Sequence, residues 1–127
     1  EFIENVENRL EIFQSLPLRT EFRVFYDFNE KRVIGIMNYW HPEIMEREGV
    51  LSKLEFQLYQ MEKDNIVNEY NEHKDFVVKE IDTFMQGCKN IMGRWAIDVM
   101  LNGEEFWIID MSSMEDIEVI DLMEKID

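Results

Sequence analysis

The segment from Gly93 to Met114, GRWAIDVMLNGEEFWIIDMSSM, constrains the fold of this chain more than any other. Two apolar stretches, RWAIDVML and EEFWIIDM, flank an Asn-Gly pair, and this pattern predicts a β-hairpin. Strands that face a core usually carry no charge at their centres, yet Asp98 interrupts the first strand and Asp110 ends the second. Any fold assigned to the chain must therefore explain two carboxylates in otherwise apolar strands.

The region before this segment predicts a second hairpin followed by helices. Two largely apolar stretches, RTEFRVFYDF and RVIGIMNYW, are joined by the turn residues NEK and predict a hairpin over residues 20–40. Pro42 suits the first turn of a helix and Gly49 suits its end. From Leu51 to Gln86, apolar residues recur every three to four positions. This pattern predicts two helices broken near residues 71–74, with Gly87 capping the second.

The two ends of the chain follow less regular patterns. Residues 1–16 fit either a helical stripe or a strand that leads into a polar loop. Near the other end, Ser112 and Glu115 have the spacing of a capping box, which predicts a helix over residues 112–126. The order hairpin, helices, hairpin, helix predicts a single α+β domain over residues 1–127, with an antiparallel sheet of two hairpins packed by helices.

The composition argues against several classes of protein. Apolar residues make up 46% of the chain, which is enough for a packed core and argues against disorder. The sequence predicts no membrane span and no secretory signal. A single cysteine, Cys88, cannot form an internal disulfide, which favours a reducing, cytoplasmic location. Two histidines and one cysteine cannot form a zinc site, and no Ser-His-Asp or Cys-His spacing supports nucleophilic catalysis.

The formal net charge of −15 limits the partners of the chain. This charge repels nucleic acid phosphates and anionic membranes, so neither is expected as a direct partner. Three explanations stay open: solubility, cation binding at clustered carboxylates, and mimicry of nucleic acid in a basic groove of another protein. Because the acids are spread along the whole chain, the charge by itself favours solubility.

Strand geometry decides whether Asp98 and Asp110 can share a divalent cation. Magnesium prefers oxygen ligands, and Ser112 follows Asp110 two positions later. A two-residue Asn-Gly turn would pair residue 98 with residue 107 and place Asp110 on the opposite face. An odd loop would pair residue 96 with Asp110 and bring both acids to one face, so the metal-site hypothesis predicts an odd loop. The alternative is that Asp98 lies on a solvated face and Asp110 begins a turn.

These residues resemble the closing hairpin of ATP-grasp enzymes. In that family, an Asp in one strand and an acid in the next hold magnesium, and an Asn follows two positions later. Asp98 and Asp110 match the two acids, and Ser112 stands where Asn is usual. The segment TEFRVFYD is similar to the family's acid-x-Arg strand and matches it with Glu21 and Arg23. The resemblance implies that Arg23 contacts the phosphates or the acyl phosphate, whereas a cross-strand ion pair is its alternative role.

The first four residues, EFIE, are similar to the hinge strand by which the family binds adenine and ribose. The resemblance implies this role for Glu1, Phe2, Ile3 and Glu4. It covers nearly the whole chain but only the C-terminal half of an ATP-grasp fold, since the family's phosphate-binding lysines and glycine-rich loop precede the hinge. We therefore expect a longer parent chain or a partner subunit to supply that half, and this chain alone to fold without activity.

The resemblance implies a ligase that uses ATP and magnesium. Such enzymes activate a carboxylate substrate as an acyl phosphate and join it to an amine or similar nucleophile. The alternative is a non-catalytic acidic binding protein, an inhibitor or nucleic-acid mimic, that contacts a basic partner protein. The missing phosphate-binding half and Ser112 favour this alternative. The aromatic group NYWHPE at residues 38–43 either lines a substrate pocket or caps the core.

Overall fold

The structure, a computed structural model, describes residues 19–103, 105–117 and 120–127. These residues form an antiparallel sheet and two helices, which confirms the predicted α+β class. The strands are β1 (Glu21–Asp27), β2 (Arg32–Asn38), β3 (Arg94–Asn102), β4 (Glu105–Ser113) and β5 (Glu124–Lys125). The helices are α1 (Pro42–Met45) and α2 (Lys53–Gln86), and two 3-10 turns, Met114–Asp116 and Ile120–Leu122, follow β4.

Both predicted hairpins form, and the sheet joins them side by side. The strand order is β4-β3-β1-β2-β5, so β1 of the first hairpin pairs with β3 of the second. Side chains alternate along a strand, so the sheet has two faces. We call the face that carries Phe22, Val24 and Tyr26 the helix face, and the face that carries Glu21, Arg23 and Phe25 the carboxylate face. Each name includes the cross-strand partners of those residues.

The helix face carries the main core of the protein. Side chains of β1, β2 and β3 are buried there against α2, which contributes Tyr70, Val77, Ile81 and Met85 to this core. Phe22 stacks on Tyr70 with a centroid distance of 5.6 Å. Burying one large aliphatic or aromatic side chain stabilises a protein by roughly 1.5–3 kcal/mol. This core holds the sheet on α2 and leaves the carboxylate face on the opposite side.

The prediction of two helices broken near residues 71–74 is wrong, because α2 is one helix of 34 residues. The segment NEHK contains neither Pro nor Gly, and Tyr70 and Val77 on either side of it pack into the same core. At its start, Ser52 and Glu55 form a capping box. Gly87 is the C-cap, as predicted, although its backbone is right-handed helical. Within the described residues, no helix is long and apolar enough to cross a membrane.

The predicted helix over residues 112–126 is also wrong for the part of it that is described. Ser112 lies in β4, and Ser113, the last residue of that strand, caps the first 3-10 turn. Further along, residues 124–125 form β5, which pairs with β2. The turns pack apolar side chains on the carboxylate face around Phe25, Met37 and Ala96; the side chains are Met114, Ile117, Ile120, Leu122 and Met123. A helix would turn Ile120 and Leu122 to opposite sides, because residues two apart do not share a helix face. Packing on the sheet therefore overrides the capping pattern.

Candidate functional site

A β-bulge in β4 brings Asp98 and Asp110 opposite each other. The turn leaves Asn102 paired with Glu105 and Val99 paired with Ile108, which is the register of a two-residue loop. Between Val99 and Asp98 the register then shifts by one residue, so that Asp98 pairs with Asp110. The two acids share one face, as the metal-site hypothesis requires. The predicted odd loop is wrong, because the bulge produces the shift.

Arg23, Asp98 and Asp110 form one row across β1, β3 and β4. The Nε of Arg23 donates to Oδ1 of Asp98 at 2.8 Å, and an Nη donates to Oδ2 at 3.0 Å. The side chains are 18% and 2% exposed, respectively. Asp98 is therefore not on a solvated face, and Arg23 is part of a cross-strand ion pair with two parallel hydrogen bonds.

The environment of Arg23 keeps its guanidinium charged and in place. Burial by itself would lower the pKa of Arg23, but the hydrogen bonds to Asp98 and the charge of Asp98 outweigh burial, and this pKa is raised. Tyr39 and Asp110 contribute smaller effects in the same direction. The guanidinium carbon lies 4.9 Å from the centre of the Tyr39 ring, within the range of a cation–π interaction. Arg23 is thus held between a carboxylate and an aromatic ring.

Asp110 and Ser112 differ from Asp98 because solvent reaches both of them. Asp110 Oδ1 accepts a hydrogen bond from the backbone N–H of Met111 at 2.8 Å. Ser112 lies opposite Ala96, two positions further along the same face. Next to the fixed pair of Arg23 and Asp98, β4 therefore presents oxygen atoms that a ligand can reach.

The remaining predicted site residues lie in different places. Glu21 is buried at the start of β1, on the carboxylate face, two positions before Arg23 and opposite Met100. Residues 1–4, predicted to bind adenine and ribose, lie outside the described residues. Of the NYWHPE group, Tyr39 contacts Arg23, while Trp40 belongs to a small core with Tyr59 and Ile66. One aromatic residue of that group therefore borders the site and another caps a core.

Sequence analysis missed a second polar cluster at the β5 edge of the sheet. Glu124 of β5 accepts hydrogen bonds from Tyr70 Oη and from Lys74 Nζ, the latter at 3.0 Å. Burial would raise the pKa of Glu124, but the hydrogen bonds from Tyr70 and Lys74 lower it. Burial and the contact with Glu124 raise the pKa of Tyr70. These residues are about 50 positions apart in sequence, so no local motif predicts the cluster, which ties β5 to α2 beside a cleft of about 350 Å³.

The carboxylate face offers few metal ligands of its own among the described residues. Within the described residues, no group of three or more His, Cys, Asp or Glu side chains is placed to hold a metal ion. Magnesium is usually bound by one or two carboxylates together with water and substrate phosphates. Asp98 and Asp110 are two such carboxylates, but both oxygens of Asp98 already accept hydrogen bonds from Arg23. Comparison of the chain with protein-family models, curated proteins and solved structures gives no match.

Proposed function

We propose that the carboxylate face is the magnesium-nucleotide side of an ATP-grasp lobe. The enzyme would be a ligase that activates a carboxylate as an acyl phosphate before joining it to an amine or similar nucleophile. The row of Arg23, Asp98 and Asp110 on one face of three neighbouring strands carries this proposal. It is the row that the resemblance to ATP-grasp enzymes implies, and a hairpin without the bulge would have placed Asp110 on the other face.

Each residue of the row has a role in this proposal that follows from its environment. Asp110 and Ser112 would offer their solvent-facing oxygens to the magnesium ion, which supplies charge neutralisation to the phosphates when it is bound. Asp98, whose two oxygens accept from Arg23, would have to share one of them with the ion. Arg23 uses two of its donors on Asp98, and its remaining N–H groups can orient a phosphate or carboxylate oxygen. The ring of Tyr39 and the Asp98 carboxylate restrict the guanidinium, so little of its freedom remains to be lost on binding.

The affinity of this face for nucleotide is expected to be low. Ser112 stands where ATP-grasp enzymes usually have an Asn, and the short serine hydroxyl replaces the amide carbonyl oxygen as a ligand. One guanidinium also offers few charge-assisted hydrogen bonds to a triphosphate. The test therefore has to detect weak binding and report its location.

Titration of the isotope-labelled chain with manganese-ATP, followed by NMR, provides such a test. Manganese takes the same oxygen ligands as magnesium and broadens the resonances of nearby amides. We expect broadening centred on Arg23, Asp98 and Asp110 and little along α2. Asp110→Asn should weaken it about tenfold, because the variant loses a charged ligand. Asp64→Asn, which removes the same charge from an exposed position of α2, is the matched control and should have no effect.

Three outcomes would contradict the proposal. The first is the absence of broadening at a large excess of manganese-ATP. The second is broadening distributed over exposed acids along the whole chain, which would indicate non-specific attraction by the net charge. The third is the same broadening in Asp110→Asn as in the original chain, which would show that Asp110 does not bind the manganese ion.

A further inference from the structure

A groove runs between α2 and β4 on the helix face of the sheet. It encloses about 530 Å³ and is lined by Phe76, Glu80, Ile81 and Phe84 of α2 and by residues 105–108 of β4. Phe76 and Phe84, two helical turns apart, are 50% and 61% exposed. Phe76 contacts the ring of Phe106 with a centroid distance of 5.4 Å. The groove thus has an apolar floor that the core does not fill.

The groove adjoins the edge of the sheet. Within residues 19–103, 105–117 and 120–127, β4 pairs with β3 alone and is the terminal strand. A terminal strand directs every second pair of backbone N–H and C=O groups away from the sheet, where an extended peptide can bind them. Such a peptide would extend the sheet over the groove and direct alternate side chains onto the phenylalanines.

The two faces of β4 differ in chemistry along this edge, one being apolar and the other carrying two acids and an indole ring. Phe106 and Ile108 lie on the helix face, and the cross-strand register puts Glu105, Trp107 and Asp110 on the carboxylate face. A strand added to β4 would therefore place apolar residues beside Phe106 and Ile108. The residues of the added strand that point to the carboxylate face would lie beside the carboxylates of Glu105 and Asp110 and the indole ring of Trp107. Opposite charges on neighbouring strands stabilise pairing, and an indole ring attracts a cation.

The residues that line the groove and its neighbourhood carry more negative than positive charge, as the exposed side of β4 does. Further along α2, the lining of a second depression of about 570 Å³ includes three acids, Glu62, Glu69 and Glu72, together with Arg19 and uncharged residues. Among the described residues that line the two depressions, Arg19 is the single cation, and it donates to Asn102 at 2.7 Å. A second copy of this chain, with a net charge of −15, would be repelled by this surface. Charge complementarity favours a basic occupant.

We propose that the groove and the β4 edge bind an extended segment of a partner protein in which apolar residues alternate with Lys or Arg. The apolar residues pack on Phe76 and Phe84, and the basic residues pair with Glu105 and Asp110. The main chain of the segment hydrogen-bonds to β4. This surface combines the groove of the helix face with the β4 edge, and it shares Asp110 with the proposed magnesium site. Binding of the segment requires neither nucleotide nor metal, so the proposal does not rest on nucleotide binding.

Fluorescence anisotropy with labelled peptides tests the proposal on the 127-residue chain. The probe is an eight-residue peptide of alternating Lys and Val. One control peptide has Asp in place of Lys, and another has Pro in place of Val, which keeps the charge but removes the strand. We expect saturable binding of the Lys-Val peptide, weakened by added sodium chloride, and at least about tenfold weaker binding of both controls.

Protein variants locate the bound peptide. Phe76→Ser and Phe84→Ser should each weaken binding of the Lys-Val peptide about tenfold, because each removes part of the apolar floor. Both side chains are largely exposed, so the variants should keep the circular dichroism of the original chain. Leu54→Ser is the matched control, since Leu54 is 61% exposed on α2 but lies outside the groove, and it should bind normally. NMR shift changes should centre on residues 105–110.

Several results would overturn the proposal. Equal binding of the Pro-containing peptide would show that attraction by charge alone explains the affinity. Unchanged binding in both phenylalanine variants would move the site elsewhere. Self-association that Phe84→Ser abolishes would assign the groove to a second copy of the chain. Shifts of the resonances of residues 1–18 caused by Phe84→Ser without peptide would assign it to the chain's own first residues.

Discussion

At the scale of single residues, the buried ion pair of Arg23 and Asp98 is not required for the stability of the sheet. Removing two charges from water opposes folding, and well-packed apolar residues in place of a buried ion pair often leave stability unchanged or increase it. The two parallel hydrogen bonds between Arg23 and Asp98 offset much of the free-energy cost of removing these charges from water. Stability therefore does not explain why the pair is present, and the proposed function gives it a chemical role.

Breaking this pair at one partner should be strongly destabilising. Asp98→Asn leaves a largely buried guanidinium without its main partner and should lower the free energy of unfolding by about 3 kcal/mol. The double variant Arg23→Leu/Asp98→Leu should recover most of that loss. Urea denaturation followed by tryptophan fluorescence measures both. A loss in Asp98→Asn below about 1 kcal/mol would mean that Asp110 or solvent replaces Asp98 as the partner.

The matched control is the exposed pair of Arg32 and Glu30, whose Nε–Oε1 distance is 3.2 Å. Its side chains are 43% and 52% exposed, so solvent screens their attraction. Glu30→Gln should change the free energy of unfolding by less than about 0.5 kcal/mol. The difference between the losses of unfolding free energy in Asp98→Asn and Glu30→Gln then measures how burial changes the contribution of an Arg–carboxylate pair.

At the scale of elements, the bulge in β4 and the continuity of α2 determine what each face of the sheet presents. The bulge turns Asp110 toward Asp98, and the uninterrupted helix supplies both the core contacts of the helix face and the exposed phenylalanines. Glycine contributes at one point of the β2 edge. A Cβ on Gly35 would lie 2.2 Å from Sδ and 2.4 Å from Cγ of Met123, so a larger residue at this position would displace the Met123 side chain.

A proline in the middle of α2 tests its continuity. Glu72→Pro removes one backbone hydrogen bond and places the proline ring against the carbonyl of residue 68, so it should destabilise the protein by about 3 kcal/mol or more. Glu72 is exposed, and Glu72→Ala should therefore be neutral or slightly stabilising. Circular dichroism at 222 nm and urea denaturation give both values. A tolerated proline would instead indicate a break near residues 71–74.

At the scale of the whole molecule, the two faces of the sheet separate two kinds of surface in an acidic chain. The apolar part of the carboxylate face is covered by the turns before β5, and the row of Arg23, Asp98 and Asp110 lies beside it. The helix face is covered by α2, with the groove at its β4 side. The two proposed sites share Asp110 on β4, and a net charge of −15 surrounds both.

This net charge should make the stability of the protein depend on salt. Self-repulsion of the acids opposes the compact state, and added ions screen it. The urea midpoint should therefore rise when sodium chloride increases from about 10 mM to about 500 mM. Replacing the exposed acids Glu48, Asp64 and Asp127 by Lys, each adding two charges, changes the net charge from −15 to −9 and should flatten the rise. An equally steep rise in that variant would exclude self-repulsion as the cause.

The sequence by itself was enough to predict the α+β class, both hairpins and the extent of the long helical region, and it marked Arg23, Asp98 and Asp110 as candidate site residues. Those features depend on alternation, turn residues and residue chemistry, which are local. The tertiary structure decided the continuity of α2 and the course of residues 112–117 and 120–126, because there packing against the sheet outweighs local helix signals. It also decided the site, since an apolar residue such as Ile109 gives no local sign that a bulge will form. Only the pairing of β1 with β3 brings Arg23 to Asp98, 75 residues away in the chain.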